Sequence, residues 1–401
     1  MKRMGLAAAA LALLAAPASA GDWPGFRGPD RSGASAETGW QADWQAHPPR
    51  PVWKASVGSG YSAVSVAGGL AYTMGNAGGQ DTVWALDAAT GDLAWRFDYP
   101  CRSPSSNPGP RSTPLVDSGA VFALSRYGLL HALDARTGRR LWQQDLVRVL
   151  GAKAPGWGLA CSPLAYGDAI IIDVGTAAAF NRKTGAKMWA SPRGATGYSS
   201  PVLFKAGART LLATFPEYGL RVLDPSTGAE LAAYPWSTSY GVNAPAPLVA
   251  DGTLFITSGY RTGCALLALG PRGLVPIYAN KSLAAHFHSP VLFGGHVYGF
   301  SGNAGGGDLR CLDLKSGALA WSKGGLQHGS LILADGKLIA LGEAGDLVLI
   351  QADPAAYREL GRAKVLSGQC WTMPVLANGR IYCRNTDGDL VCLDVRKDAS
   401  R

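Results

Sequence analysis

The chain has 401 residues, including 53 glycines and 12 tryptophans, and only 16% of its residues are charged. Abundant glycine with few charges favours many short strands joined by tight turns over a helical fold. The formal net charge is +9. The Lys and Arg residues are scattered and form no run that would follow a phosphate backbone, which argues against a nucleic-acid partner. A weak preference for acidic partners or anionic surfaces is compatible with this charge.

The first twenty residues are typical of a secretory signal peptide. Lys2 and Arg3 precede an apolar run from Leu6 to Ala16, and Ala18-Ser19-Ala20 is a small-residue cleavage site. The first cysteine is Cys101, so the cleavage site is not that of a lipoprotein. Because no later apolar stretch reaches ~18 uncharged residues, we expect no transmembrane segment. The sequence thus predicts a secreted protein, periplasmic or associated with the cell envelope.

One phrase recurs along the rest of the chain and predicts the fold. It reads A-L-D-A-A-T-G-D-L-A-W from Ala85 to Trp95, and it returns at Ala132–Trp142, Ala179–Trp189 and Cys311–Trp321. A unit that repeats every ~40–47 residues indicates a solenoid or a propeller. Each unit reads as four short strands, with hairpin dipeptides such as Asp251-Gly252 between the first two.

Counting the units gives eight blades. They begin near Ala63, Thr113, Ser162, Ser200, Ala246, Ser289, Leu331 and Met373. The eighth unit lacks a fourth strand, and Pro51–Ala55 reads like the Trp-bearing strands elsewhere. An N-terminal strand that completes the last blade would close a ring and remove two sheet edges. We therefore predict an all-β, eight-bladed β-propeller of four-stranded antiparallel blades over 51–395, after a leader over 21–50 and before a tail over 396–401.

The residues of the repeated phrase are predicted to be structural. The aspartates, such as Asp87, accept hydrogen bonds within their own turns, and glycines such as Gly91 take the left-handed conformation that closes the hairpin. The tryptophans would wedge between neighbouring sheets. Among the seven cysteines, a turn at Asp387-Gly388 would place Cys383 opposite Cys392 for a disulfide, although both residues also suit small buried positions.

The phrase resembles the tryptophan-docking motif of the pyrroloquinoline-quinone (PQQ) repeat family. The resemblance covers nearly the whole chain after the predicted signal peptide, and the opening Asp22–Pro29 is similar to the leader of secreted PQQ-binding-like propeller proteins. The family includes quinoprotein dehydrogenases and the outer-membrane barrel-assembly scaffold. The resemblance therefore implies the propeller fold but does not choose between these functions.

The best candidate site is the channel mouth, beside the segments that lead into the first strand of each blade. The candidate cofactor-binding residues there are Arg111, Trp371, Trp157, Tyr198, Asn243 and His288, joined by Tyr61 and His328. Aromatic and hydrogen-bonding groups that converge on a cavity make a binding site, but the same residues would also serve as a plug of the channel.

The resemblance makes PQQ with Ca²⁺ a possible cofactor. Arg111 would then bind its carboxylates and Trp371 would stack on its ring. A calcium ion and a catalytic base need carboxylates as well, and the nearest are Asp81, Glu217, Asp308, Glu343 and Asp387. Nothing in the sequence brings these together, and the adjacent cysteine pair of many such enzymes is absent. His286 and His288 offer two imidazoles without a third ligand, so we predict no metal site and no catalytic residues.

The leading hypothesis is a non-catalytic, monomeric propeller that binds a protein or a small molecule at the channel mouth. Its first alternative is a PQQ-dependent alcohol or sugar dehydrogenase. Its second is a module that binds polysaccharide or another cell-envelope component through the aromatic residues.

Overall fold

The computed structural model of the protein describes residues 21–397, which are built almost entirely of β-strands. Eight antiparallel four-stranded sheets follow one another along the chain as the blades of a β-propeller, and one of them gains an extra parallel strand. This confirms the fold class predicted from the repeat. The predicted signal peptide (1–20) and the last residues (398–401) lie outside the described residues.

Two strands precede the first blade: β1 (Ala34–Ser35) and β2 (Arg50–Ser56). The first four blades contain β3 (Ser65–Ala67), β4 (Leu70–Ala77), β5 (Gln80–Asp87) and β6 (Leu93–Pro100); β7 (Leu115–Asp117), β8 (Ala120–Leu124), β9 (Leu129–Asp134) and β10 (Arg140–Asp145); β11 (Leu164–Tyr166), β12 (Ala169–Asp173), β13 (Ala177–Asn181) and β14 (Lys187–Ala190); β15 (Val202–Ala206), β16 (Arg209–Thr214), β17 (Gly219–Leu223) and β18 (Glu230–Pro235). A short helix, α1 (Leu146–Leu150), follows β10.

The last four blades contain β19 (Leu248–Ala250), β20 (Thr253–Ser258), β21 (Gly263–Gly270) and β22 (Gly273–Asn280); β23 (Val291–Phe293), β24 (His296–Ser301), β25 (Asp308–Asp313) and β26 (Leu319–Lys323); β27 (Ser330–Ala334), β28 (Lys337–Leu341), β29 (Asp346–Gln351) and β30 (Arg358–Lys364); β31 (Val375–Ala377), β32 (Arg380–Arg384) and β33 (Asp389–Asp394). Within residues 21–397, none of the helical structure is long and apolar enough to cross a bilayer.

The two ends of the chain close the ring, as the sequence predicted. Strand β2 pairs antiparallel with β33, so that Trp53 lies opposite Cys392, and the eighth blade has the order β2-β33-β32-β31. The Trp53 indole Nε1 donates to the carbonyl of Ala88 in the first blade at 3.3 Å. The closing strand therefore also provides one of the contacts between the last blade and the first, beside those of Tyr382 and Arg384 in β32.

The repeated tryptophans pack on the turn glycines of the following blade. A Cβ atom at Gly185 would lie 2.7 Å from Cδ2 of Trp142, and the Trp142 indole donates to the carbonyl of Arg182 at 2.9 Å. The fifth blade lacks a tryptophan here, and Tyr278 takes its place by donating from its hydroxyl to the carbonyl of Leu314 at 2.9 Å. The repeated phrase thus provides contacts between one blade and the next.

The leader crosses the end of the channel on the side of these turns. Residue Trp23 exchanges backbone hydrogen bonds with Val66 in the first blade, and β1 pairs in parallel with β27 in the seventh. Between them, Arg27 and Arg31 are buried. They donate to backbone carbonyls at the start of three blades, namely Ser289 and Pro290, Pro201, and Ser162 and Pro163.

The strand register contradicts a disulfide between Cys383 and Cys392. Residue Cys392 pairs with Tyr382, whereas Cys383 pairs with Val391. Because side chains alternate between the faces of a strand, the two thiols point to opposite faces of the sheet. All seven cysteines are free and buried within residues 21–397, as the small-residue interpretation expects. The two-residue turn assumed from Asp387-Gly388 is a longer loop, which shifts the pairing by one residue.

Candidate functional site

A cavity of about 250 Å³ lies on the propeller axis. It opens on the face formed by the segments that lead into the first strand of each blade and by the loops between second and third strands; we call this the cavity face. Phe26 and Arg27 of the leader line the other end of the cavity. The walls carry five large aromatic side chains: Tyr61, Trp157, Tyr198, Phe287 and Trp371.

The structure brings most of the predicted residues together. Arg111, Trp157, Tyr198, His288 and Trp371 line the cavity, and so does Tyr61. Their convergence is observed, while a role in binding a cofactor stays a prediction. The shared feature is their position just before the first strand of a blade, which places each one next to the axis.

Two predicted residues do not line the cavity. Asn243 is fully buried, and its side-chain amide donates to the carbonyls of Pro216, Glu217 and Trp236, while its oxygen accepts from the Ser258 hydroxyl at 2.7 Å. All of its hydrogen-bonding capacity is thus used to hold the loops of the fourth and fifth blades.

The imidazole of His328 is also fully buried and packs behind the cavity wall. Its ring centre lies 4.5 Å from that of Phe287 and 5.2 Å from that of His288. Its contribution is therefore to support the wall residues Phe287 and His288.

The guanidinium of Arg111 is the main charged group of the cavity. It donates to the carbonyls of Gly109 and Asn107 at 2.9 and 3.0 Å, and it lies 4.7 Å from the centre of the Tyr61 ring. No carboxylate within residues 21–397 forms an ion pair with it. Burial, together with the nearby Arg126 charge, lowers the pKa of Arg111 to about 10, so the group remains charged at neutral pH.

The sequence did not identify Arg126, which lies in the loop between β8 and β9. Its side chain is 2% exposed and donates to the carbonyls of Asn107 and Trp157. Arg111 and Arg126 therefore both donate hydrogen bonds to the backbone around Asn107, and their positive charges repel each other. Neither arginine has a carboxylate ion-pair partner in the described chain. An anion placed beside Arg111 would relieve this repulsion.

Hydrogen bonds and ring packing fix the aromatic side chains of the cavity wall. The Trp371 indole donates to Oε1 of Glu343 at 2.9 Å, and its ring centre lies 4.8 Å from that of Phe287. On the opposite side, the ring centres of Trp157 and Tyr198 are 5.2 Å apart. These contacts fix two aromatic surfaces without occupying the space between them.

The histidines of the wall are neutral at physiological pH. Burial lowers the pKa of His286 to about 4, and burial with the neighbouring imidazoles lowers the pKa of His288 well below its usual value. His286 shares a hydrogen bond of 2.9 Å with the Tyr260 hydroxyl. Within residues 21–397, no group of three or more His, Cys, Asp or Glu side chains is placed to hold a metal ion.

The five acidic candidates do not reach the cavity. Asp81 accepts from Asn76, Asp308 pairs with Arg310, and Glu343 holds Trp371. Glu217 and Asp387 lie in loops between second and third strands. No Asp or Glu of the described chain is among the lining residues.

The lining only partly fits PQQ with calcium. Arg111 would pair with a carboxylate of the quinone, and Trp371 with Phe287 would contact its flat ring. A calcium ion prefers several oxygen ligands that include carboxylates, and proton abstraction from an alcohol needs a base. The residues present therefore suit an anionic ring but not the metal or the base.

The cavity face is basic. Its segments and loops carry three acidic residues (Glu217, Glu343 and Asp387) and eight basic ones (Arg102, Arg111, Arg126, Arg148, Lys153, Arg193, Arg261 and Lys281). The turns on the opposite face, outside the leader, are balanced. They carry Asp92, Asp168, Asp224, Asp251, Asp335 and Asp353 against Arg136, Arg139, Arg182, Lys183, Arg272 and Lys315. In these connecting segments basic residues thus outnumber acidic ones on the cavity face, and Arg27 and Arg111 are the arginines that line the cavity itself.

A closed ring of eight blades with docked tryptophans and an axial cavity defines a β-propeller of the PQQ-repeat class. The family model described as "Outer membrane protein assembly factor BamB" matches residues 80–323, which is more than half of the chain. The chain belongs to this family of PQQ-repeat propellers.

Individual relatives of the chain carry two different kinds of name. The chain is 30% identical over 164 residues to a "1-butanol dehydrogenase (quinone)" of Thauera butanivorans, which covers 35% of this chain and 25% of that protein. It is 26% identical over 259 residues to the "Outer membrane protein assembly factor BamB" of Moranella endobia, which covers 59% of this chain and 63% of that protein. The aligned regions thus span a quarter of the first relative and just under two thirds of the second.

A solved structure of similar fold is the quinohemoprotein alcohol dehydrogenase of Comamonas testosteroni. The two superpose with a TM-score of 0.69 at 16% sequence identity, over 94% of this chain and 81% of that one. This likeness is one of fold.

Proposed function

We propose that this protein is a non-catalytic β-propeller of the cell envelope that binds a small anionic ligand, or the anionic end of a larger one, in the axial cavity. The observation that carries the proposal is the cavity itself. It combines the Arg111 guanidinium, which has no carboxylate partner in the described chain, with facing aromatic surfaces at Trp157 and Trp371. An unpaired cation between aromatic walls is suited to bind a planar or ring-shaped anion.

The residue types in the lining support binding without catalysis. The described lining has amides, hydroxyls, imidazoles and arginines, but no carboxylate that would act as a base. The imidazoles are weak bases here, because desolvation lowers the pKa of His286 to about 4 and the pKa of His288 well below its usual value. The envelope location rests on the N-terminal sequence, and the family match to an assembly factor supports a scaffold role beside ligand binding.

A PQQ-dependent dehydrogenase is the second candidate, and the pair of Arg111 and Trp371 in one cavity is the observation that favours it. It differs from the first proposal in requiring turnover. The two are separated by measuring binding and reduction on the same sample.

The test is a fluorescence titration of the purified protein, using Trp157 and Trp371 as reporters. The ligands are PQQ with and without Ca²⁺, aromatic carboxylates, hexuronates and neutral sugars, and each sample is assayed for dye reduction with alcohols and aldoses. We expect saturable binding of at least one anion that Arg111→Gln weakens about tenfold or more, since a charge-assisted hydrogen bond contributes roughly 1.5–3 kcal/mol, and no turnover.

The matched control is Arg102→Gln, an exposed arginine in the same connecting segment. Dye reduction that requires PQQ and Ca²⁺ would contradict the non-catalytic proposal and favour the dehydrogenase. Anion binding that is equally strong in both variants would show that the cavity is not the site.

A further inference from the structure

The cavity is closed at one end. Phe26 and Arg27 line its inner end, and Arg27 is fixed there by donating to the carbonyls of Ser289 and Pro290 at 3.0 and 2.7 Å. A polymer therefore cannot thread through the ring. Only the end of a chain can enter from the cavity face.

The lining offers two kinds of surface at once. Aromatic faces at Trp157 and Trp371 alternate with hydroxyl and amide groups at Tyr198 and Asn107, and Arg111 supplies a positive charge. The hydroxyl oxygen of Tyr198 accepts a weak bond from the Trp157 backbone at 3.4 Å and keeps its own proton to donate. A hexuronate ring has a matching surface, because it carries C–H faces, several hydroxyls and one carboxylate. At about 250 Å³, the cavity is below the usual range of roughly 300–1,000 Å³ for ligand pockets, which suits one ring and not two.

A row of aromatic rings leads from the cavity to the outer surface. His286 lines the cavity, the ring centre of Tyr260 is 4.8 Å from that of His286, and the ring centre of Tyr240 is 4.8 Å from that of Tyr260. Tyr240 is 73% exposed. Exposed large aromatic side chains in contact with one another mark interaction sites more often than isolated ones do, and this pair is continuous with the cavity.

From these observations we infer that the protein binds the end of an acidic polysaccharide, with one hexuronate ring in the cavity and the next units along Tyr260 and Tyr240. The inference rests on the proposed binding of an anion in the cavity. The excess of basic over acidic residues on the cavity face complements a polyanion. The basic residues are spread around the rim and do not line a groove, which disfavours a nucleic-acid backbone.

The experiment is a calorimetric titration of the full protein with galacturonate, its dimer and its tetramer at two salt concentrations. Neutral maltotetraose, poly-glutamate and a single-stranded oligonucleotide are the comparison ligands. We expect the tetramer to bind at least tenfold more tightly than the monosaccharide and maltotetraose to bind weakly. Tyr240→Ala should lower the affinity for the tetramer several-fold and leave the affinity for the monosaccharide within twofold. Tyr260→Ala should lower the affinity for the tetramer at least as much.

Since Tyr240 is exposed, its replacement does not threaten folding, and Phe293→Ala provides the control of an exposed aromatic on the opposite face. The inference would be overturned if maltotetraose bound as tightly as the galacturonate tetramer. It would also be overturned if poly-glutamate or the oligonucleotide bound more tightly than the tetramer and lost this binding in the tyrosine variants. Monosaccharide binding without any gain from chain length would overturn it as well. If no uronate binds while another anion binds through Arg111, the inference fails and the proposed function stands; if no anion binds at all, both fail.

Discussion

Tryptophan has two separate uses in this molecule, and position in the blade decides between them. Trp95 and Trp142 lie on outer strands, and each donates its indole N–H to a backbone carbonyl of the following blade at 2.9 Å. Trp157 and Trp371 lie in the segments before a first strand and face the axis. The residues that recur in the repeat therefore hold blades together, while the residues that differ between repeats build the cavity.

The contact between Trp142 and Gly185 predicts a large effect of a single methyl group. In Gly185→Ala the new Cβ would lie 2.7 Å from the Trp142 ring, at a residue with φ of +71°. We expect a loss of roughly 2–5 kcal/mol in the free energy of unfolding, because overpacking costs about 1–3 kcal/mol and a left-handed alanine adds about 1–2 kcal/mol. Denaturant unfolding measures this loss.

The matched control is Gly119→Ala, where φ is +79° but no atom lies within 4 Å of the added Cβ. It isolates the backbone cost, so we expect a loss of only about 1–2 kcal/mol. Equal losses in the two variants would mean that packing of the tryptophan on the glycine contributes nothing.

Sequence reasoning at the level of single residues succeeded where a residue's place in the blade decides its role. Arg111 and Trp371 were found because every segment before a first strand faces the axis. Asn243 has the same place in the blade, but its amide is used by the carbonyls of Pro216 and Glu217, and no sequence pattern shows such contacts. Arg126 was missed because it lies in a loop between second and third strands and not in a segment before a first strand.

The leader is the element that sequence reasoning described least. It has only the short strand β1, yet it contacts the start of blades that are far apart in the sequence, such as Val66 and Leu333. Its two buried arginines, Arg27 and Arg31, bind carbonyl groups that converge on the axis only after the ring has formed. The repeat predicts the blades because its contacts are local or between neighbours; the leader has partners that lie 356 residues away, as between Asp22 and Asn378.

The leader's contribution to stability is testable at Arg31. Its guanidinium donates to the carbonyls of Pro201, Ser162 and Pro163, and Arg31→Met would leave these buried acceptors without partners. Each unsatisfied group costs about 1–3 kcal/mol, and the relief of burying a charge offsets part of the loss. We expect the free energy of unfolding to fall by roughly 2–4 kcal/mol in denaturant melts.

Arg102→Met is the control for this variant, since Arg102 is exposed and makes no hydrogen bond within the described residues. Its unfolding curve should overlay that of the parent protein. A stable Arg31→Met protein would show that the carbonyl groups relax or are hydrated, and that the leader does not hold the blades together.

At the scale of the whole molecule, the two faces of the ring differ in charge and in the residues that they expose. The turn face is balanced in charge and is covered by the leader, whereas the cavity face is basic and carries Tyr218 and Tyr240 at 66% and 73% exposure. A linear count of charges cannot show this separation, because neighbouring loops in the sequence belong to alternate faces. The propeller topology sorts them, and it does so only if the ring is closed.

Closure is therefore the last property to test, and β2 is the element to alter. Replacing residues 50–56 with a Gly-Ser segment of equal length keeps the leader attached but removes the pairing with β33 and the Trp53 contact to Ala88. The edge of β33 and the buried Cys392 would then be exposed. We expect the melting temperature to fall by about 5 °C or more, since several kcal/mol are lost and each shifts Tm by roughly 1–2 °C in a domain larger than about 250 residues. A Gly-Ser replacement of the disjoint exposed segment 104–106 is the control. If the protein without β2 melts like the control, the ring is held by the leader and the blade contacts alone, and the strand exchange between the two ends is dispensable.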